Sequence, residues 1–271
     1  MLEASRRWRR EGRTIGLVPT MGALHAGHLS LVERACRDNS AVIVSIFVNP
    51  LQFGPGEDFE RYPTDPERDL DLLRKAGVTA LYRPNGAVMY PPGATTRVTV
   101  PGVAEPLEGA ARPGHFAGVA TVVAKLFNAT EPDRAYFGQK DAQQVAVVRR
   151  LAADLDTGIE IWACPIVREA DGLALSSRNA HLDVAERKAA ACLHSALTRA
   201  ARAYEAGERD QDRLRRTLRE TLEAEPLARV DYAELVDPRT FTSPGTLAVL
   251  AVWIGKTRLI DNLDLANPEP G

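Results

Sequence analysis

The sequence predicts an α/β protein: a parallel β-sheet with helices on both faces, followed by a smaller C-terminal α+β domain. Strand-like and helix-like segments alternate from residue 14 to residue 167, which is typical of sheets built with crossover helices. The run AVIVSIFV at 41–48 is almost continuously apolar, as in a parallel strand covered on both faces. The rest of the chain contains two helices and three closely spaced strands. Together these patterns predict a Rossmann-like domain over residues 1–166 and an α+β lid domain over residues 167–271.

The first domain is predicted to contain five strands and four helices. Each strand is a short apolar run, and each helix has apolar residues bunched at helical spacing. Gly77 marks the end of the second helix, since glycine readily adopts the left-handed conformation found there. In such sheets ligands bind beyond the carboxyl ends of the strands. The predicted strands are 14–18, 41–48, 78–82, 135–137 and 159–167, and the predicted helices are 29–37, 66–76, 115–128 and 141–155.

The second domain begins with a helix-start pattern, Asp183 followed by Glu186, which is typical of a capping box. Two helices are indicated by apolar residues that repeat about every four positions, and three strand-like runs follow. The tail, 266–271, is predicted to be disordered because it is short, terminal and rich in proline. The apolar helix faces are Leu193, Leu197, Ala201 and Tyr204, then Leu214, Leu218 and Leu222; the strands are 230–236, 246–253 and 257–263.

Composition and charge limit the function classes. The net charge is −2 and aromatic residues make up 6%, so we expect no broad electrostatic binding of nucleic acid. No apolar stretch reaches the roughly 18 residues of a membrane span. Cys36, Cys164 and Cys192 are far apart and odd in number, which favours buried thiols over disulfides or a metal site. We therefore predict a cytoplasmic protein with no membrane or nucleic-acid partner.

The string PTMGALHAGHLSL, at 19–31, follows a strand and opens a helix. The N-terminus of a helix favours phosphate, and His25 and His28 can donate hydrogen bonds to phosphate oxygens there. The alternative is a pair of structural or metal-binding histidines, but this block contains no further ligand for a metal. The nucleotide-binding patterns GxxxxGK[ST] and GxGxxG do not occur. We therefore predict phosphate chemistry at this position.

A second string, NPLQFG, begins at Asn49 where the apolar strand ends. The amides of Asn49 and Gln52 can donate to and accept from hydroxyl and carboxylate groups, although a turn-forming role is the ordinary alternative. The acidic residues Asp58, Glu60 and Asp65 follow in this loop. They could form a cation site, but a solvated acidic loop is the preferred interpretation.

Two further strings contain a basic side chain, Lys140 or Arg178, in a predicted loop. In YFGQKDAQQ, at 136–144, Lys140 can reach a phosphate, and Asp141 either caps the helix or binds a ribose hydroxyl. Gln144 is predicted to lie one helical turn after Lys140 and to share its face. In LSSRN, at 175–179, the two serines and Arg178 suit a triphosphate, although the string alone is weak evidence for this.

These strings together resemble a known family. HxGH after a strand is similar to the signature of nucleotidyltransferases, and the combination with NPLQFG, FGQKDAQQ and SSRN resembles the pantoate–β-alanine ligases. The resemblance implies ATP-dependent condensation of (R)-pantoate with β-alanine to pantothenate through a pantoyl-adenylate, with release of AMP and pyrophosphate. It also implies Mg²⁺ with ATP and a homodimer. Arg112 and His115, in RPGHF, belong to a further similar string whose role stays open.

The resemblance also implies site residues. His28 would be catalytic together with His25, Lys140 and Arg178, while Gln52, Gln144 and Asn49 would bind substrate. Val167 would make a backbone contact to adenine, and Leu175 stands where the family usually has methionine, a change that conserves volume. The implied ATP contacts are Met21, Gly22, Ala23, Leu24, His25, Ala26, Gly27, His28, Gly138, Gln139, Lys140, Asp141, Val167, Leu175, Ser176, Ser177 and Arg178.

Two rival functions fit parts of the same pattern. Another nucleotidyltransferase would have HxGH without NPLQFG and FGQKDAQQ. An RNA-binding module derived from a synthetase would want a basic, aromatic-rich face, which the composition disfavours.

Overall fold

The computed structural model describes residues 1–55 and 59–267. Asp58 of the predicted acidic loop and residues 268–271 of the predicted tail lie outside the described residues. The described chain divides into two units: Met1–Gly138 with Gln143–Cys164, and Gln139–Ala142 with residues 165–267. The domain boundary predicted near Val167 stays a prediction. By their contacts within the fold, the four residues 139–142 belong to the second unit.

The first unit contains a five-stranded, entirely parallel sheet flanked by helices, as predicted. Its strands are β1 (Ile15–Thr20), β2 (Ala41–Ile46), β3 (Ala80–Tyr82), β4 (Arg134–Gly138) and β5 (Glu160–Cys164). Its helices are α1 (Leu2–Arg10), α2 (Ala26–Asp38), α3 (Pro66–Lys75), α4 (Gly86–Met89), α5 (Glu108–Ala111), α6 (His115–Thr130) and α7 (Ala142–Asp154), of which only the first residue of α7 is grouped with the second unit.

The strand order, β3-β2-β1-β4-β5, reverses direction between β1 and β4. Ligands of open α/β sheets bind at such a switch point, beyond the carboxyl ends of the strands. Strand β1 pairs with β2 along all of Ile15–Thr20. Its pairing with β4 covers only Gly16 and Leu17 among the described residues. The carboxyl-terminal ends of β1 and β4 are therefore not joined by ladder hydrogen bonds, and the segments that follow them begin at this opening.

The sheet is buried because its central strands are apolar on both faces. Val18, Val42 and Val44 pack with residues of α2 and α3 in one core cluster. Successive strand residues point to opposite faces, so Ile15 and Leu17 face the other side, and both are fully buried. Helix α1, which the sequence analysis did not predict, contacts β1 and α6 and buries Trp8.

The second unit contains an antiparallel sheet in the order β6-β7-β8 with two long helices packed against it. The predicted capping box is confirmed: the Asp183 carboxylate accepts the N–H groups of Ala185 and Glu186, and the Glu186 side chain accepts the Asp183 N–H. Leucines at the predicted spacing form the core with the sheet, and Leu214, Leu218 and Leu222 are fully buried. The elements are α8 (Val184–Ala189), α9 (Cys192–Glu205), α10 (Gln211–Glu223), β6 (Ala228–Val236), β7 (Leu247–Ile254) and β8 (Thr257–Asp264).

Most predicted elements are present with boundaries shifted by a few residues. The predicted helix 29–37 begins three residues earlier, at Ala26, because His25 caps it. The predicted strand 159–167 ends at Cys164. Across the described residues, none of the helices has the length and apolar character needed to cross a membrane.

Candidate active site

The turn after β1 is held by a buried carboxylate. Gly22 and Ala23 have positive φ angles of 89° and 51°, and the left-handed conformation is strained for alanine. Asp69 of α3, which is 2% exposed, accepts the N–H of Ala23 at 2.9 Å and that of Leu24 at 2.8 Å. A Cβ on Gly22 would lie 3.1 Å from the same carboxylate. The conformation of the turn therefore depends on Asp69.

His25 and His28 form a reciprocal cap at the start of α2. His25 is the N-cap residue, and its Nδ1 accepts the N–H of Gly27 at 3.1 Å. His28 is the third residue of the helix, and its Nδ1 accepts the N–H of His25 at 3.4 Å. The two ring centroids are 4.1 Å apart. This is the geometry of a capping box, with imidazoles in the usual places of hydroxyl and carboxylate groups.

The cap fixes which ring nitrogen carries the proton. A backbone N–H can only donate, so Nδ1 of each histidine is an acceptor, and the neutral ring must be protonated at Nε2. Both imidazoles therefore have an Nε2–H donor at a helix N-terminus, where the partial positive charge of the helix also favours an anion. This arrangement suits the phosphate chemistry predicted from the sequence.

The amide side chains after β2 are arranged around a 3-10 turn, Pro50–Gln52. Asn49 caps this turn and is 1% exposed, so its amide is used within the protein. Asn49 Nδ2 donates to Gln52 Oε1 at 3.0 Å and to the Gly118 carbonyl at 3.1 Å. Gln52 is half-buried, and its Nε2 lies 3.3 Å from the sulfur of Met21. The two predicted substrate residues thus differ: Asn49 lies behind Gln52, and Gln52 has the more accessible amide.

Helix α6 fixes the position of this turn. His115 Nδ1 donates to the Gln52 carbonyl at 2.9 Å, and its Nε2 lies 3.2 Å from Nη1 of Arg112. A Cβ on Gly118 would be 2.2 Å from the Leu51 carbonyl oxygen, so only glycine allows this approach. The RPGHF string therefore supports the segment that contains Gln52.

The other predicted residues of the first unit lie near the end of β4 and in α7. Gly138 is the last residue of β4. Gln143 is buried, and its amide bonds to the carbonyls of Val103 and Pro106 and to the N–H of Glu108. Lys140 lies in a 3-10 turn that leads directly into α7, which begins at Ala142 and contains Gln144. The shared face of Lys140 and Gln144 stays a prediction.

In the second unit, the turn Gln139–Asp141 is held by β8. The buried amide of Asn262 donates to the carbonyls of Gln139 and Lys140, each at 3.0 Å, and accepts from Gln139 Nε2 at 3.1 Å. These bonds fix the backbone on either side of the Lys140 Cα atom. Asp141 is exposed. The buried Asn262 thus positions the predicted phosphate-binding lysine.

Val167 and Leu175 are brought together by a short hairpin. The Leu175 N–H donates to the Val167 carbonyl at 2.9 Å, and Arg168 and Ala174 form an antiparallel bridge. Arg168 makes a bidentate ion pair with Asp261, whose side chain is 1% exposed, at 2.7 and 3.0 Å. The hairpin that leads into LSSRN is therefore anchored to β8.

The LSSRN segment forms a 3-10 turn, Ser177–His181, capped by the Ser176 hydroxyl. The Glu169 carboxylate accepts from Asn179 Nδ2 at 3.0 Å and from Arg187 at 2.7 Å. The Arg187 guanidinium also pairs with Asp171 and lowers the pKa of that carboxyl below its usual value. Through these contacts Asn179 ties the turn to the hairpin, and Arg187 ties the hairpin to α8.

Lys140, Ser176 and Arg178 line a small cleft of the second unit. Arg258 also lines this cleft but is paired with Asp231 at 2.8 Å. Neither Lys140 nor Arg178 has an ion-pair partner among the described residues. Two unpaired cations and a hydroxyl in a cleft suit an anionic ligand.

Several supporting residues were missed by the sequence analysis. Asp69 shares a helix face with the buried Leu73, four residues later, and an acid on an apolar face was a usable signal. Asn262 and Asp261 follow each other in a strand, where one polar residue per pair would normally face solvent. Tyr90, whose hydroxyl donates to Asn49 Oδ1 at 2.8 Å, and Gly118, which lies against Leu51, gave no local signal, because both roles depend on long-range contacts. The assignment of individual residues to ATP and substrate stays a prediction.

Comparison with known proteins shows similarity over nearly the whole chain. A family model described as pantoate-beta-alanine ligase matches residues 1–264. Relatives named pantothenate synthetase include one from Heliobacterium modesticaldum, 57% identical with 96% of this chain and 94% of the relative covered. Another, from Herpetosiphon aurantiacus, is 54% identical with 97% of each covered.

Solved structures agree with this similarity. A pantothenate synthetase from Thermus thermophilus has a TM-score of 0.90 and 50% identity, with 93% of each chain covered. A pantoate-beta-alanine ligase from Francisella tularensis, complexed with beta-gamma ATP and beta-alanine, has a TM-score of 0.79 and 35% identity. The alignment covers 98% of this chain and 96% of that protein.

We predict that Asp69→Ala destabilises the turn after β1. Removing the carboxylate leaves the buried N–H groups of Ala23 and Leu24 unpaired, which should lower the free energy of unfolding by about 1–3 kcal/mol. Amide hydrogen exchange at these two residues should become faster. Asp71→Ala is the matched control, since Asp71 lies on the same helix but its side chain is 68% exposed. Equal losses in both variants would contradict this role of Asp69.

We predict a pH-dependent stability from His194 of α9. Its ring lies against Gly172 in the hairpin, and its Nδ1 is buried with no hydrogen-bond partner in the described part of the chain. Burial, followed by the charge of Arg168, lowers its pKa. The folded state therefore binds fewer protons than the unfolded state, and stability should fall as the pH drops below about 6.5.

The measurement is the urea midpoint of the wild type, His194→Gln and Ser195→Ala between pH 7.5 and 5. His194→Gln should flatten the loss below pH 6.5. Ser195→Ala, an exposed change on the same helix, should keep it. An unchanged slope in His194→Gln would show that other groups cause the dependence.

Proposed function

The chain belongs to the pantoate–β-alanine ligase family and is an ATP-dependent ligase that joins pantoate to β-alanine, and we propose that the reaction passes through a bound pantoyl-adenylate. The observation that carries this proposal is the histidine pair at the start of α2, with two Nε2–H donors where a phosphate binds well. A carboxylate acylates an amine poorly until one of its oxygens becomes part of a good leaving group. Transfer of AMP to pantoate provides that leaving group.

In the proposed first step, a carboxylate oxygen of pantoate attacks the α-phosphorus of ATP. The bond between this phosphorus and the β-phosphate oxygen breaks, and pyrophosphate leaves. His25 and His28 donate through Nε2–H to phosphate oxygens on which charge develops. Donors of this kind act mainly by stabilising the transition state. Because the cap already holds both imidazole rings in place, the rings need little reorganisation during the reaction.

In the proposed second step, the amine of β-alanine attacks the carbonyl carbon of the mixed anhydride. The amide bond forms, the bond from carbonyl carbon to phosphate oxygen breaks, AMP leaves, and the amine loses its proton. Gln52 and Gln144 hold the pantoyl group, and we assign Asn49 to orienting Gln52, since it is buried behind it. Catalysis is then mostly positioning, as expected for reactions of bound, oriented partners.

Lys140 and Arg178 are assigned to the phosphate oxygens, with Ser176 and Ser177 as hydroxyl donors. This assignment is supported by the cleft of the second unit, where neither Lys140 nor Arg178 has an acidic partner among the described residues. An arginine can bind phosphate through two parallel N–H groups, whereas a lysine acts as a mobile point charge. The Val167–Leu175 hairpin is assigned to the adenosine part.

An acyl-enzyme intermediate is disfavoured by the state of the thiols. Burial raises the pKa of Cys36 and Cys164, and it raises that of Cys192 to about 12. The thiolate is the nucleophilic form, so these groups are poor nucleophiles near neutral pH. A bound anhydride is the simpler activated species.

Mg²⁺ is proposed to arrive with ATP. The described residues contain no group of three histidine, cysteine or acidic side chains that could hold a metal. Their donor set therefore does not fit an all-protein metal site. Mg²⁺ usually keeps several waters and binds through nucleotide phosphates, which agrees with MgATP as the substrate.

We also infer that the enzyme works as a homodimer in the cytoplasm. The dimer follows from the family resemblance. The three free cysteines agree with a reducing compartment.

We predict that His28→Ala lowers turnover of adenylate formation by about 10²–10³-fold, the usual cost of one transition-state donor. His28→Gln should lose less, because glutamine at this position can keep the capping box and still offers N–H donors. Ser30→Ala is the control for general damage to the first turn of α2. Near-normal pantoate-dependent AMP formation by folded His28→Ala would show that His28 has no part in the chemistry.

The order of bond changes can be tested with ¹⁸O in the carboxylate of pantoate. The adenylate route places one ¹⁸O in AMP after full turnover, since the attacking oxygen leaves with AMP. Without β-alanine, pantoate alone should support exchange of labelled pyrophosphate into ATP. Label in inorganic phosphate, with ADP as the nucleotide product, would mean an acyl-phosphate route and would refute the proposal.

A further inference from the structure

A chain of hydrogen bonds runs from Tyr90 through the buried Asn49 to Gln52. We propose that Tyr90 is a positioning residue that, through Asn49, holds the Gln52 amide with its NH₂ group toward pantoate, so that Gln52 recognises pantoate only as a donor. This inference rests on the proposed function, because it takes Gln52 as the pantoate ligand. Tyr90 lies far from the recognisable strings, directly after helix α4.

The orientation of the Asn49 amide is fixed by two backbone groups. The Gly118 carbonyl can only accept, so the atom 3.1 Å from it must be Nδ2. The Leu51 N–H can only donate, so the atom 3.3 Å from it must be Oδ1. Both requirements give the same orientation. Because Asn49 is 1% exposed, solvent offers little alternative to these partners.

This orientation determines the direction of the remaining bonds. The Tyr90 hydroxyl, 2.8 Å from Asn49 Oδ1, must donate. The second hydrogen of Asn49 Nδ2 is donated to the side-chain amide of Gln52, at a distance of 3.0 Å. The receiving atom is therefore Oε1, and Nε2 is the other end of the Gln52 amide. One N–H of Nε2 lies toward Met21, and the second can be donated to a ligand.

The surroundings of Tyr90 keep it a donor. Burial raises the pKa of Tyr90 to about 12, so the hydroxyl keeps its proton near neutral pH. The ring of Phe47 lies 6.0 Å away, centroid to centroid, and packs beside it at the end of β2. Deleting the hydroxyl would leave the Asn49 oxygen with the weaker Leu51 bond and would loosen the Gln52 amide.

A Gln52 amide that presents only its N–H group to the ligand matches the chemistry of pantoate. Carboxylate and hydroxyl oxygens of the acid are acceptors, so the Nε2–H group pairs with either. A reversed amide would instead point Oε1 at the acid and would repel a carboxylate. The relay therefore contributes to recognition of a hydroxy acid and has no direct part in ATP binding.

The test measures kcat and KM for pantoate and for ATP in Tyr90→Phe, with Tyr82→Phe as the matched control in the same unit. Tyr90→Phe should lower kcat/KM for pantoate about 10-fold, mainly through KM, as for loss of one hydrogen bond. The KM for ATP should change less than about twofold. Tyr82→Phe should match the wild type.

The same change in a Gln52→Ala background separates positioning from general structural damage. If Tyr90 acts through Gln52, Tyr90→Phe should cause little further loss there, since coupled residues are not additive. An equal loss in both backgrounds, or wild-type kinetics in Tyr90→Phe, overturns the inference.

Asn49→Asp, which keeps the Leu51 bond but cannot donate to Gln52, should also raise the KM for pantoate, and an unchanged KM would overturn the inference as well. Failure of the wild type to form AMP from pantoate would instead refute the proposed function.

Discussion

The site of the first unit depends on one buried carboxylate. Asp69 binds two successive N–H groups of the turn after β1 and thereby holds Ala23 in a conformation that alanine rarely adopts. That turn sets where α2 begins, and the first residues of α2 are the histidine cap. A carboxylate buried without such partners would be costly, so the helix carrying Asp69 and the turn that it binds stabilise each other.

The second unit uses the same principle with different groups. Asp261 and Asn262 are adjacent, buried residues of β8. Asp261 holds Arg168 at the base of the hairpin, and Asn262 holds the backbone around Lys140. Removing one member of a buried ion pair leaves an uncompensated charge and typically costs about 3–5 kcal/mol. In both units, buried polar groups fix backbone segments that carry the more exposed side chains of the proposed site.

The fold and the main strings could be predicted from the sequence because their signals are local. The capping box at Asp183 and Glu186 spans four residues, and the buried strand β2 is a single apolar run. Long-range partners left no such signal: Asp69 bonds to a turn 45 residues earlier, and Asn262 bonds to carbonyls more than 120 residues away. The helix predicted from residue 141 begins at Ala142, because the 3-10 turn that precedes α7 gave no separate signal in the sequence.

The four residues 139–142 belong to the second unit although both of their neighbours along the chain belong to the first. A gene fragment that begins at residue 165 would therefore encode a β8 strand whose Asn262 has lost the carbonyls of Gln139 and Lys140. The same holds for chimaeras between relatives that exchange everything after β5: the crossover would separate a tetrapeptide from the strand that orders it. Modular exchange within this family is thus constrained by a segment too short to count as a domain.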